Sequence, residues 1–383
     1  MFFKSKKVYV LGSGASHFAG YPLGKDFWPF VRCFASKSRA AGASGAPGAS
    51  VSVDDINRVE AVIDDSDNLE LLFTLLELTH TGLGTAARIP PALSGAWDIL
   101  KKGYNGWPNP WDNFRLELIG LISQALLYYQ HNLNNFLFPD DPLCRAAEAE
   151  LRKHGQSLPT LPAEITNLVG PSVKNALDMW AKRLKRDDSV ISFNWDLLHE
   201  TALYRAGKWR WSDGYGFVLS NATKRLDSTV RLYKLHGSVN WSQETADAPI
   251  KITDPEQLFA RAPAGKPGAL NFGPDRGRKS LIVPSFLKTP EGRAELLDLW
   301  FKADDALRSA HEIVAAGYSF AGGADTIAYH LFVSSLARNR HRPKVVVVDP
   351  GPDGIRTWQR LCQEAGLAEP AHQKRRFEDW VNL

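Results

Sequence analysis

Three short apolar runs constrain the fold most, because apolar residues fill almost their whole length instead of alternating with polar ones. They lie at 190–193, 313–316 and 345–348, and apolar residues at helical spacing follow the first two. Such runs are typical of strands that are buried on both faces, as in a parallel sheet covered by helices. A fourth run, at 8–11, lies near the start of the chain. We therefore expect an α/β fold in which these strands form one doubly wound, mostly parallel sheet.

The strand signal disappears between about residue 54 and residue 185, where apolar residues recur at helical spacing. Examples are Leu116, Ile119 and Leu126. We interpret this stretch as a helical domain inserted into the sheet domain. The predicted boundaries are 1–35 and 187–383 for the sheet domain, 52–186 for the inserted helical domain, and 36–51, which is small and polar, for a flexible loop.

Composition excludes several classes of protein. A chain of 383 residues with 44% hydrophobic content can bury a sizeable core, and 46 basic against 42 acidic residues without a long basic run do not indicate direct binding of nucleic acid. The longest apolar stretch, 116–129, is interrupted by polar residues at helical spacing, so we expect no membrane span. The three cysteines are far apart in sequence, which favours reduced thiols in the cytoplasm and indicates neither a disulfide framework nor a metal site.

Two glycine-containing turns follow predicted strands. Residues 12–16 read GSGAS and residues 317–319 read GYS. Glycine permits a tight turn and close approach of a ligand, and the N-terminus of a following helix attracts phosphate. Each segment alone is equally compatible with a turn that binds nothing. The usual dinucleotide fingerprint is not matched, because His17 occupies the place of its third glycine.

Polar residues stand where predicted strands end. Asn194 and Asp196 follow the run at 190–193, and His236 follows the apolar residues of a second segment. Because the carboxyl ends of parallel strands share one edge, we expect these side chains around one crevice, where an amide can hold water or a sugar hydroxyl and an imidazole can act as a base. Alternatives remain open: Asn194 or Asp196 caps a helix, and His236 is structural. Asp349, after the last run, binds an adenosine ribose or only closes a turn.

Taken in order, four motifs resemble those of the Sir2 (sirtuin) superfamily, specifically its bacterial SIR2-like branch. GSGAS at 12–16 with GYP at 20–22 resembles the family's GAG-x-S…GIP loop. SFNWD at 192–196 is similar to its (T/S)-x-N-x-D motif, LHGS at 235–238 to its HG, and GYS at 317–319 to its GTS.

This resemblance implies a Rossmann-like domain that binds NAD. Asn194 and Asp196 would lie near the nicotinamide ribose, and His236 would be the catalytic histidine. The remaining residues implied to bind NAD, along the phosphates or on the adenosine side, are Gly12, Ser13, Gly14, Ala15, Ser16, Pro22, Gly317 and Ser319.

Departures from the sirtuin deacylases shape the expected activity. The four-cysteine zinc ribbon is missing, so we expect no zinc, and the Asp-Phe-Arg that follows GIP in deacylases does not follow Pro22. The resemblance therefore favours the branch found in antiphage systems, which hydrolyses NAD to nicotinamide and ADP-ribose as a homo-oligomer or with a HerA-type ATPase or an Argonaute. An NAD-dependent protein deacylase and a non-catalytic NAD- or ADP-ribose-binding subunit remain alternatives. A dehydrogenase ranks last because the fingerprint spacing differs.

Overall fold

The computed structural model describes residues 5–23, 26–40, 57, 73, 111–137, 171–216, 229–243, 249–253, 279–282, 294–320 and 325–383. The described strands are β1 (Lys7–Leu11), β2 (Ser189–Ser192), β3 (Arg231–Lys234), β4 (Gly237–Gln243), β5 (Lys251–Ile252), β6 (Lys279–Ile282), β7 (Glu312–Ala316), β8 (Lys344–Val348) and β9 (Ala371–Gln373). The described α-helices are α1 (Gly14–His17), α2 (Phe27–Ala40), α3 (Trp111–Leu137), α4 (Pro171–Arg183), α5 (Leu198–Arg205), α6 (Ala294–Ser309), α7 (Thr326–Ala337), α8 (Pro352–Glu364) and α9 (Phe377–Val381).

Six strands form the main sheet in the order β3-β2-β1-β7-β8-β9, and each neighbouring pair is parallel. The chain builds the sheet outward from β1 in one direction, then returns to the other side of β1 with β7. This is the order of a doubly wound Rossmann-type fold, whose ligands bind where the order reverses. The prediction of an α/β, Rossmann-like, doubly wound sheet with helical residues inserted after its first strand is confirmed.

Helices cover both faces of this sheet. On one face, Tyr9 of β1 packs edge-on against Trp180 of α4, with 6.3 Å between the ring centroids. On the other face, Tyr233 of β3 lies beside Ala306 of α6. Burial on both sides explains why strands such as β8 read as uninterrupted valine.

The central strands end level with one another. In β1, Leu11 pairs with Ser192 of β2 and with Ala316 of β7. The residues that follow these strands, such as Gly12 and Gly317, therefore leave the sheet at the same level. This shared register brings the loops after β1, β2 and β7 to one edge.

A second, antiparallel sheet in the order β5-β4-β6 begins directly after His236. Strand β6 pairs with β4 in this sheet and not with the parallel strands.

The helical signal between β1 and β2 corresponds to α3 and α4 in the described residues. Apolar residues of both helices, such as Leu126 and Leu177, belong to the same buried cluster as the strands. Helix α2 runs to Ala40, so residues 36–40 of the predicted loop are helical, whereas 41–51 lie outside the described residues. The domain boundaries stay a prediction. No helix among the described residues is long and apolar enough to cross a membrane.

Candidate active site

The loops after β1 and β7 interlock at the point where the strand order reverses. The amide of Gly12 donates to the carbonyl of Ala316 at 3.0 Å, and the amide of Gly14 donates to the carbonyl of Gly317 at 3.1 Å. A Cβ on Gly12 would lie 2.4 Å from that Gly317 oxygen. The sequence suggests glycine there for a ligand's approach, but the structure shows that the approaching group is the neighbouring loop.

Most amides of these loops are already used inside the protein. Besides those of Gly12 and Gly14, the amides of Ala15 and Ser16 donate to Gly12 and Ser13, and that of Gly317 donates to Val348. Within the described part of the chain, the amides of Ser13 and Ser319 make no hydrogen bond. Of the residues predicted to lie along phosphates, these two keep a backbone donor for an anion.

Asn194 connects the loop after β2 to the loop after β1. Its Nδ2 donates to the carbonyl of Gly12 and to the hydroxyl of Ser16, both at 2.9 Å, and its side chain is almost fully buried. A carbonyl oxygen only accepts, so the atom that faces Gly12 must be the nitrogen. Both amide hydrogens are thereby used, and Oδ1 accepts no hydrogen bond from the described residues. The helix-capping alternative for Asn194 does not apply, because α5 begins four residues later at Leu198.

Asp196 does act at the start of α5. Its Oδ1 accepts from the amide of Leu198 at 2.9 Å, which satisfies one of the free amides of that helix end. The hydroxyl of Ser16 also hydrogen-bonds this carboxylate. Burial raises the pKa of Asp196, whereas Lys234 nearby and these hydrogen bonds act against the rise. Asp196 thus extends the hydrogen-bond chain that begins at Asn194.

A buried ion pair lies directly behind Asp196. Nζ of Lys234 is 2.5 Å from Oε1 of Glu200 and also donates to the backbone carbonyl of Asp196, and neither Lys234 nor Glu200 is more than 1% exposed. Burial raises the pKa of Glu200 to about 7, although Lys234 opposes the rise. Burial, followed by the charge of Lys234, lowers the pKa of His199 to about 3, so this histidine is neutral at physiological pH. Through its hydrogen bond to the carbonyl of Asp196, Lys234 stabilises the turn between β2 and α5.

His236 follows the end of β3 and lies beside another buried carboxylate, that of Asp325. Its Nε2 is 3.0 Å from Oδ2 of Asp325, and the side chains are 5% and 1% exposed. The hydroxyl of Tyr318 donates to the same Oδ2 at 2.6 Å. The ring of Phe193 packs edge-on against His236, at 4.8 Å between centroids, and stacks on Tyr318 at 3.8 Å. The imidazole is thus held between an aromatic ring and an acid.

Asp349 forms a local turn at the end of β8. Its Oδ1 accepts from the amide of Gly351 at 2.7 Å, and a Cβ on Gly354 would lie 2.7 Å from Oδ2. Burial raises the pKa of this carboxyl. Oδ1 of Asp349 therefore closes a turn, as one of the two alternatives for this residue states. Pro22 lies beyond α1, after Tyr21, in the loop that contacts α3.

Sequence reasoning missed Asp325, Lys234 and Gln130. Asp325 stands immediately before α7, where an acid reads as an ordinary helix-start residue. Lys234 interrupts an apolar strand, and that interruption was the only local signal. Gln130 lies on α3 and accepts from the amide of Leu197, which nothing in its own neighbourhood indicates.

A cavity of about 330 Å³ lies at the opposite, amino-terminal edge of the sheet, lined by residues such as Lys7, Arg231 and Lys302. None of the residues around Asn194 and His236 lines it. Within the described ranges, no group of three or more His, Cys, Asp or Glu side chains could hold a metal ion.

The fold and the placement of these side chains define an α/β protein of the Rossmann type, with polar residues gathered at the carboxyl edge of its sheet. No protein-family model matches the chain, and no curated protein matches it. It is similar over 95% of its length to a chain solved in a study of the structural basis for the mechanism and regulation of Sir2 enzymes, with 13% identity, 93% of that chain covered and a TM-score of 0.30. The strand order and register, not this match, establish the fold.

Proposed function

We propose that this protein hydrolyses NAD at the bond between nicotinamide and ribose, giving nicotinamide and ADP-ribose. The observation that carries the proposal is the placement of Asn194 and His236 after adjacent parallel strands, at the edge where Rossmann-type folds bind ligands. The motif resemblance to SIR2-like proteins agrees with this placement. NAD is a substrate here, so no resident cofactor is required.

Cleavage of this bond leaves the electron pair on nicotinamide and develops positive charge at C1′ of the ribose. A fixed, polar and buried surrounding stabilises such charge better than mobile water does. The carboxylate of Asp196, linked through Ser16 to Asn194, supplies such a surrounding. The oxygen of water then bonds to C1′, and its proton passes to a base.

Asn194 is proposed to position that water or the ribose. Because Nδ2 is held by Gly12 and Ser16, the side chain has one orientation, and Oδ1 is the atom left to accept a hydrogen bond. His236 is proposed as the base that receives the proton, directly or through a ribose hydroxyl. Asp325 is proposed to orient His236 and to stabilise the imidazolium that forms, as carboxylates beside catalytic histidines do.

Ser13 and Ser319 are proposed to contact the phosphates of NAD. Their loops flank the reversal of strand order, and each offers an amide that the described residues do not use. Asp349 is proposed to reach the adenosine ribose through Oδ2 only, because Oδ1 closes its own turn.

The test is to incubate the purified protein with NAD and to measure release of nicotinamide and ADP-ribose. Loss of a general base typically costs about 10²–10⁴-fold in rate, so we expect His236→Ala and Asn194→Ala to lose most activity. Asp325→Asn should also lose activity, because its amide can impose the wrong tautomer on His236. His330→Ala, an exposed histidine on α7, is the matched control. Full activity in both Asn194→Ala and His236→Ala would refute the proposed site.

The same assay separates the alternative functions. A deacylase would release nicotinamide only when an acylated peptide is present, and would form O-acyl-ADP-ribose. A non-catalytic subunit would bind NAD or ADP-ribose in calorimetry without consuming either. We further propose that hydrolysis depletes cellular NAD during phage infection, with the chain acting as a homo-oligomer or with an ATPase or Argonaute partner. Infection of cells that express the wild type or His236→Ala, with NAD measured over time, tests that role.

A further inference from the structure

Gln130 of helix α3 contacts both loops that carry the proposed site. Its Oε1 accepts from the hydroxyl of Tyr21 at 2.5 Å and from the amide of Leu197 at 3.1 Å. Tyr21 belongs to the loop after β1, and Leu197 belongs to the loop after β2. Gln130 is 1% exposed and Tyr21 is 3% exposed, so both hydrogen bonds are shielded from water.

The same two loops are also joined directly, by hydrogen bonds from Asn194 to Gly12 and Ser16 and from Ser16 to Asp196. All of these contacts lie in the first part of each loop, before Tyr21 and Leu197. The bridge through Gln130 adds an attachment farther along both loops, which limits their rotation about the direct contacts. It lies on the other side of Asp196, next to the residue at which α5 begins.

An uncharged amide oxygen suits this position. It has two lone pairs and therefore accepts from two donors without adding a charge to a buried region that already holds Asp196. Burial, followed by the charge of Asp196, raises the pKa of Tyr21, so its hydroxyl stays protonated and donates. The ring of Tyr129 packs edge-on against Tyr21 at 4.9 Å and limits its rotation.

We propose that Gln130 is a positioning residue for the NAD-cleaving site, which holds the loop of Ser16 and the loop of Asn194 in the relative orientation that the reaction needs. This inference rests on the proposed function and assigns helix α3 to the catalytic unit. Gln130 acts through Leu197 and Tyr21 and is not proposed to touch the substrate.

The neighbouring residue on the same helix provides a matched control. The hydroxyl of Tyr129 donates to the carbonyl of Ala19 at 2.8 Å, and Tyr129 is also buried. Among the described residues it makes no hydrogen bond to the loop after β2. Tyr129→Phe removes one buried hydrogen bond without removing a bridge. Gln130→Met retains the approximate shape of the side chain and removes the shared acceptor.

The experiment compares kcat, KM for NAD and the free energy of unfolding in both variants. Displacement of reacting groups by about 1 Å can cost about 10²-fold in rate, so we expect Gln130→Met to lower kcat by about 10–100-fold and to change KM far less. Tyr129→Phe should lose stability and keep a kcat close to the wild-type value. Equal loss of kcat in the two variants, or an unchanged kcat in Gln130→Met, would overturn the proposal.

A second readout does not depend on activity. The side-chain amide of Asn194 gives a pair of proton–nitrogen NMR signals, which Asn194→Asp identifies by their loss. Gln130→Met should shift or broaden these signals, and Tyr129→Phe should leave them in place. Unchanged Asn194 signals in Gln130→Met would overturn the positioning role even if the protein hydrolyses NAD.

The two proposals fail separately. If the wild type does not consume NAD, the proposed function falls, and the Asn194 signals still decide whether Gln130 orients the loops. If Gln130→Met does not fold, Tyr21→Phe replaces it, because that variant removes one of the two hydrogen bonds and keeps the ring. Tyr21→Phe should change kcat and the Asn194 signals in the same direction by a smaller amount, and no change in either would count against the proposal.

Discussion

Replacing Gly317 by alanine tests whether close packing of two loops shapes the edge of the sheet. Gly317 has φ +60°, and a Cβ there would lie 2.4 Å from Cα of Gly14 and 2.5 Å from the amide nitrogen of Ala15. Carbon atoms normally approach to about 3.5 Å, so the two loops would have to separate by about 1 Å. Both neighbouring atoms belong to the backbone, so no side chain can rotate away to make room.

The expected loss of stability has two parts, and a second glycine of this chain, Gly207, allows them to be measured separately. A left-handed backbone costs a residue with a Cβ about 1–2 kcal/mol, and the lower entropy of the unfolded alanine chain offsets about 0.4–1 kcal/mol of this. Gly207 has φ +64°, and a Cβ added to it would meet nothing within 4 Å, so Gly207→Ala should lose only this net amount, about 1 kcal/mol. Overpacking adds about 1–3 kcal/mol, so Gly317→Ala should lose about 2–4 kcal/mol.

Urea unfolding monitored by tryptophan fluorescence measures both losses, provided that the slope against urea stays constant. NAD turnover by Gly317→Ala at a temperature where it remains folded should also fall, because Ser13 and Ser319 move apart with their loops. Equal losses of stability in Gly317→Ala and Gly207→Ala would refute the packing argument, since the two variants differ only in what surrounds the added methyl group.

Three further predictions concern the buried charges behind the site. The pKa of Glu200 is about 7 in the folded protein and 4.5 for an ordinary glutamate, so the folded state binds more protons than the unfolded state between these pH values. The contribution of Glu200 to the free energy of unfolding therefore falls by about 3 kcal/mol as the pH rises through this range. The free energy of unfolding of Glu200→Gln, measured in urea at several pH values, should not show this decrease. If the wild type and Glu200→Gln depend on pH in the same way, the prediction is wrong. The pKa of His199 is about 3 in the folded protein, whereas an ordinary histidine has a pKa of 6.5. The contribution of His199 to the free energy of unfolding therefore rises with pH between these values. In urea unfolding, His199→Phe should be more stable than the wild type below pH 6. Lys234→Met should lower the free energy of unfolding by about 3–5 kcal/mol, because it leaves Glu200 buried without its partner. The double variant Lys234→Met/Glu200→Leu should recover most of this stability. A double variant as unstable as Lys234→Met would argue against the ion pair.

Strands β1, β2, β3, β7 and β8 of the main sheet were predictable because their signal is local, whereas β9 was not predicted. An uninterrupted run of valine, as at 345–348, indicates burial on both faces wherever the neighbouring strands lie. The positions of Asn194 and His236 were predictable for a related reason, since each follows a predicted strand and the carboxyl ends of parallel strands share an edge. Their catalytic roles stay proposals, because position at an edge does not by itself establish chemistry.

The partners of these residues were not predictable. Asp325 lies beside His236 only because β7 and its loop return next to β1, which joins residues far apart in the chain. Gln130 meets Leu197 through the packing of a helix that the sequence suggests is an insertion. The space above Gly12 is filled by Gly317, although glycine alone equally permits a ligand there.

The sequence by itself determined the α/β class, five of the six strands of the main sheet and the polar residues that follow them, because hydrophobic patterning is a property of neighbouring residues. The tertiary structure alone decided the strand order, the hydrogen bonds that use up most loop amides, and the contacts of Asn194, His236 and Gln130. Those contacts join segments distant in sequence, and their distances depend on how the whole core packs.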